Sequence, residues 1–141
     1  TSFGSALGII LRTFTDELDG VIIQPPVYMN FRANIRAQHR TVVNNPLKIV
    51  EGRYEIDFED LEKKAADPKN KILLFCNPHN PIGRVWPKKD MQKLGEICLA
   101  NDVLLVSDEI HGDIVYSPTQ FYGMLSLNKE IRSNSITLYS A

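Results

Sequence analysis

The chain has 141 residues, 43% of them hydrophobic and 23% charged, and sixteen Lys and Arg oppose seventeen Asp and Glu for a net charge of −1. That balance predicts one soluble globular core, and the interspersed signs exclude the basic footprint of a nucleic-acid or anionic-membrane binder. No run reaches the roughly 18 apolar residues of a bilayer span and no leader pattern opens the chain, so a cytoplasmic protein is the default expectation.

Helical and strand periods alternate from the start. Leu7, Ile10, Leu11 and Phe14 form one face of a helix predicted over 5–19. A short buried strand follows at 21–24, stopped by Pro25-Pro26, which cannot donate to a ladder. A helix over 28–38 and a β-branched strand at 40–44 come next, and Asn45-Pro46 breaks the latter. Residues 53–57 alternate as a brief edge segment leading into a helix capped by Asp57, with Phe58, Leu61 and Ala65 on one face and an end near Pro68. Residues 71–76 form an unalternating apolar strand of the kind buried on both faces of a parallel sheet. After the loop Asn77-Pro78-His79-Asn80-Pro81-Ile82-Gly83, Pro87 suits the first position of a helix carrying Met91, Leu94 and Cys98. Strands at 103–107 and 135–139 complete the pattern. Strands separated by helices predict a three-layer α/β/α fold with a mostly parallel sheet and right-handed crossovers. No repeat or linker divides the chain, so residues 1–141 read as one domain. The opening Thr1-Ser2-Phe3-Gly4 without Met and the closing strand tail at Ala141 read as cut from a longer sequence.

Ligands of open α/β sheets bind at the carboxyl ends of strands, which singles out residues 77–83, residues 107–113 and Ser140. Asp108 there is either a functional carboxylate or one that merely caps a neighbouring helix or meets water. Cys76 and His79 could be nucleophile and base, but nothing orients the pair, and a structural cysteine fits the end of an apolar strand better. Two cysteines are too few for a disulfide framework, and the three histidines lack metal-ligand spacing. Neither G-x-G-x-x-G nor a P-loop occurs, so a phosphate would need another cradle. Phe3-Gly4-Ser5, ahead of the first helix, offers free N–H groups and a hydroxyl, and equally reads as a plain helix start with Ser5 as cap.

In this order, Gln24-Pro25-Pro26-Val27-Tyr28, the string from Cys76 through Trp86, and Val106-Ser107-Asp108-Glu109-Ile110-His111 resemble the large domain of fold-type I pyridoxal-phosphate (PLP) enzymes of the class I/II aminotransferase superfamily. Within it they look most like the cystathionine β-lyase branch of carbon–sulfur (C–S) lyases. The resemblance implies cofactor contacts for seven residues. Asp108 would face the pyridine nitrogen, Asn80 and His111 the 3′ oxygen, and Tyr28 would stack on the ring. The backbone of Phe3 and Gly4 with the Ser140 hydroxyl would hold the phosphate, although the family's usual proline, glycine and valines are missing before this helix. Glu109 does not match the pyridine position. Histidine at 111, where aminotransferases usually carry tyrosine, and Trp86 favour the lyase branch. The implied reaction is β-elimination from an amino acid such as a cysteine S-conjugate, giving a thiol, pyruvate and ammonia. An aminotransferase and a non-catalytic scaffold or regulator are the alternatives. The family's Schiff-base lysine would fall two residues beyond Ala141, so the chain is expected to hold no catalytic residue of its own and to be inactive alone. A homodimer is likewise implied by the resemblance.

Overall fold

Steric and hydrogen-bonding preferences along the chain produce twelve regular elements in the computed structural model, which describes residues 3–139. The first part contains α1 (Phe3–Phe14), β1 (Gly20–Ile23), α2 (Met29–Ala37), β2 (Thr41–Asn44), β3 (Lys48–Val50) and β4 (Arg53–Glu55). The second contains α3 (Phe58–Ala65), β5 (Asn70–Cys76), α4 (Lys88–Ala100), β6 (Leu104–Asp108), α5 (Lys129–Ser133) and β7 (Ser135–Leu138), with a 3-10 turn at Met124–Ser126.

Five strands form one sheet in the order β2-β1-β5-β6-β7, and every pairing in it is parallel. Parallel neighbours require crossovers, and the helices fill that role on both faces. Period-two alternation divides the apolar side chains between two cores. Val21, Ile23, Ile72, Leu74 and Val106 pack with Leu7, Leu11, Phe31 and Ile35 of α1 and α2. Ile22, Leu73, Phe75 and Leu105 pack with Leu61 of α3, Met91 and Leu94 of α4, and Ile131 of α5. β5 feeds both cores, and Ile72 through Phe75 are completely buried. Each such side chain stabilises the fold by roughly 1.5–3 kcal/mol. Asp57 caps α3 as expected, accepting from the Asp60 N–H at 3.2 Å.

The differences from the sequence reading are local. α1 stops at Phe14 rather than near residue 19, because Thr13 and Thr15 turn their hydroxyls back onto the Ile9 and Leu11 carbonyls and β-branched residues are poor helix formers. Phe14, expected on the inner face, is 51% exposed at that frayed end. Residues 53–57 do not edge the main sheet. β4 pairs antiparallel with the unanticipated β3 through a two-residue turn in which Glu51 and Gly52 both have positive φ. Such a turn favours Asn-Gly or Asp-Gly, so Glu-Gly hides it, and all three β3 residues are exposed. α5 is too short to show a period, although Asn128 caps it by accepting from the Ile131 N–H at 2.9 Å. Pro87 is the N-cap of α4 rather than its first residue. Among the described residues no helix is long and apolar enough to cross a membrane.

Gly95 of α4 lies where α5 presses against it, and a Cβ there would sit 2.7 Å from two Ile131 carbons. Gly95→Ala is expected to lower unfolding free energy by about 1–3 kcal/mol despite better helix propensity. In a urea-denaturation cycle, Gly95→Ala should cost much less when Ile131 is already Ala.

Candidate functional site

The chain runs from β1 outward to β2 and then returns to β5 on the other side of β1, so the order of strand addition reverses between β1 and β5. Open α/β sheets leave a crevice at the carboxyl side of such a reversal. Two loops meet there. The Nε2–H of His79, after β5, donates to the carbonyl of Pro26, after β1, at 2.9 Å. A carbonyl only accepts, so the Nε2–H tautomer is required and Nδ1 carries a lone pair. Among the described residues that Nδ1 is buried without a hydrogen-bond partner, and burial, opposed by the backbone at Pro26, Gln24 and Cys76, holds the imidazole below its ordinary pKa.

Asn77 organises the loop after β5. Its Oδ1 accepts from the Trp86 N–H at 3.0 Å, and its Nδ2 donates to the Tyr122 carbonyl at 3.1 Å. Trp86, fully buried, returns its Nε1–H to the Cys76 carbonyl at 3.0 Å and packs edge-on to His79. The Gly83 N–H closes onto the His79 carbonyl at 2.8 Å, and Gly83 has φ of 68°, a conformation open to glycine at little cost. Cys76 serves packing: burial pushes its thiol up to about 12, and the sulfur is engaged by the Pro78 carbonyl and the Asn80 N–H.

Asp108 ends β6 and Glu109 follows it directly, and they are 3% and 4% exposed. Glu109 has structural partners, accepting from the Ser107 hydroxyl at 2.8 Å and the Met124 N–H at 2.7 Å. Among the described residues the Asp108 carboxylate accepts only the Ile110 N–H, at 3.2 Å, and no cation forms an ion pair with it. Burial raises its pKa to about 6, with the Ile110 bond and the nearby His111 pulling the other way.

Asn80 and His111 lie on the wall of one cavity of about 500 Å³, whose remaining surface is largely apolar and includes Pro78, Val85, Ile114 and Tyr116. Asp108 stands outside that wall, linked to it electrostatically through His111. Phe3 and Tyr28 form a second group. Phe3 stacks on Phe31 at 5.8 Å and Tyr28 meets Phe31 edge-on at 6.0 Å, which joins the start of α1 to the start of α2. Gly4 lies against Asn34, where a Cβ would come within 3.2 Å of its Oδ1. Ser140 lies outside the described residues. Sequence reasoning missed the Asn77 clamp, the His79–Pro26 bridge and the cavity wall at 114–116. Only the placement of Asn77 and His79 among Asn-Pro pairs hinted at the first two.

An all-parallel sheet with an uncompensated carboxylate at the end of one strand and an Asn/His-bearing cavity beside it defines an α/β enzyme-type site. The chain belongs to the aminotransferase class I and II family, whose match covers residues 1–141. It is 42% identical to cystathionine beta-lyase PatB of Bacillus subtilis over 133 residues, covering 94% of this chain and 34% of that one. Cystalysin of Treponema denticola, a structure containing pyridoxal 5′-phosphate, superposes with TM-score 0.95 at 40% identity, covering 99% of this chain and 35% of its own. The PLP-bound C–S lyase of Staphylococcus hominis superposes with TM-score 0.92 at 35% identity, covering 99% of this chain and 36% of its own. The chain thus spans about a third of the length of these relatives.

Because the Asp108 pKa rises on folding from 3.8 to about 6, the native state binds the proton more tightly. Stability is lost as pH climbs through that window, and the full cost of up to about 3 kcal/mol applies above it. With no ligand added, Asp108→Asn is therefore expected to stabilise the protein at pH 7–8, with the gain vanishing below about pH 4 in denaturation curves taken across pH.

Proposed function

We propose that residues 1–141 are part of the PLP-binding large domain of a C–S lyase that cleaves cysteine S-conjugates by β-elimination, releasing a thiol, pyruvate and ammonia. The observation that carries this reading is Asp108, a buried carboxylate without a counter-ion among the described residues, next to the cavity bearing Asn80 and His111. The residues present fit the cofactor. A carboxylate with no cationic partner suits a protonated pyridine nitrogen, because an opposing charge relieves its burial. When bound, PLP supplies an electron sink for negative charge at the substrate Cα.

The roles of the chain's own residues follow from their chemistry. Asp108 would keep the proton on the ring nitrogen. The Asn80 amide and the His111 imidazole would hydrogen-bond the ring's 3′ oxygen, and Tyr28 would cover one ring face. The Phe3 and Gly4 N–H groups, at the positive end of the 12-residue α1, would hold the phosphate; Ser140, the third group expected there from the sequence, lies outside the described residues. The buried Asn77–Trp86 lock and the His79–Pro26 bridge would hold the Asn80 and Tyr28 loops in register. Histidine at 111, the likeness to cystathionine beta-lyase PatB and the C–S lyase neighbours favour elimination over amino transfer. The substrate is then a small amino acid, and the working unit a homodimer.

The test uses the full-length protein carrying this chain, loaded with PLP. Cystathionine should yield pyruvate and ammonia in equal amounts with no 2-oxo acid added. Amino transfer that depends on such an acceptor would instead establish an aminotransferase. Asp108→Asn should lower kcat by about 10²-fold or more, the scale of removing one preorganised electrostatic group.

A further inference from the structure

A second cleft, of about 380 Å³, shares Gly83, Val85 and Thr119 with the cavity of Asn80 and His111. The two differ in character. No lysine or arginine lines the first, where Pro81, Ile114, Val115 and Tyr116 present carbon to the interior. The second is lined by Arg53 of β4 and Arg84 of the loop after β5. Among the described residues neither guanidinium forms an ion pair. Arg84 lies over the Trp86 ring at 5.3 Å, and its Nε is buried with no acceptor. Asp90 senses the charge of Arg84 and in turn that of Glu55, but neither carboxylate closes a salt bridge with an arginine. The frame around Arg84 is stiff, because the His79 N–H donates to the Arg84 carbonyl at 2.7 Å and the neighbouring Trp86 is locked by Asn77.

A buried guanidinium donor without an acceptor is costly, and a carboxylate is the ligand whose two oxygens match the guanidinium fork. We propose that Arg53 and Arg84 form a subsite for a carboxylate at the far end of the substrate's S-substituent, while Pro81, Ile114, Val115 and Tyr116 seat the thioether chain between that end and the reacting centre. The preferred substrates are then cysteine thioethers with a distal carboxylate, over S-alkyl cysteines of equal length. This rests on reading the Asn80/His111 cavity as the reaction centre.

The decisive comparison is S-(3-carboxypropyl)-cysteine against S-butyl-cysteine, a pair matched in length. Their α-methyl derivatives, which have no Cα proton to lose, serve for calorimetric binding to the PLP-loaded full-length protein. The parent compounds serve for pyruvate release. The carboxylate analogue should bind about tenfold more tightly, and Arg84→Gln and Arg53→Gln should each shrink that ratio, with the double variant bringing it near one. S-butyl affinity in each variant is the internal reference for misfolding. Equal affinities in the unaltered protein, parallel weakening of both analogues in the variants, or no binding of either analogue would each overturn the subsite. If neither parent compound yields pyruvate, the lyase reading falls, and the calorimetric ratio still decides whether the arginines hold a carboxylate.

Discussion

The pairing of β5 with β1 on one side and β6 on the other, its side chains divided between two cores, is the constraint on which the rest depends. From Ile72 to Cys76 this strand is buried on both faces and carries no charged or amide side chain, so polarity is displaced toward its ends. There Asn77 follows Cys76 at once, and its amide spends every hydrogen-bonding group it can on Trp86, Tyr122 and Met91. The reversal of strand order beside this strand then brings the loop after β1 within reach of the loop after β5, and His79 joins them.

The same displacement explains how two adjacent carboxylates acquire different duties. Asp108 and Glu109 are buried to the same degree, yet only Glu109 has the hydroxyl and backbone partners that make it a strut for the Met124–Ser126 turn. Gly123 belongs to that arrangement, since a Cβ there would approach Glu109 Oε2 to 2.8 Å. Asp108, with one backbone donor and no cation, keeps an electrostatic demand that the described residues leave unmet. Burial alone would not distinguish the pair; the inventory of partners does.

The long, strongly patterned elements were legible from residue types alone: β1, β5, β6, β7 and the helices α2, α3 and α4 lie within a few residues of their predicted positions. The errors fall where local chemistry is ambiguous. The β3–β4 hairpin turns on Glu51-Gly52, an uncommon choice, and α5 has only five residues. Phe14 obeys the helical stripe of α1, but the helix ends there and leaves the ring half in solvent. At the site, Asp108, Asn80 and His111 stood out through strand ends and the family resemblance, whereas Asn77 looked like turn chemistry and the wall at 114–116 carried no pattern.

Periodicity, proline and glycine by themselves determined a parallel α/β sheet and the three loops at its carboxyl edge, because these follow from short-range rules of burial and backbone geometry. Only the tertiary structure decided which neighbours shared an environment. The split of Asp108 from Glu109, the His79–Pro26 bridge and the meeting of Arg53 with Arg84 across one cleft each join groups supplied by different elements or set apart by their partners. Such contacts depend on strand order and packing distance, and no local spacing in the chain encodes them.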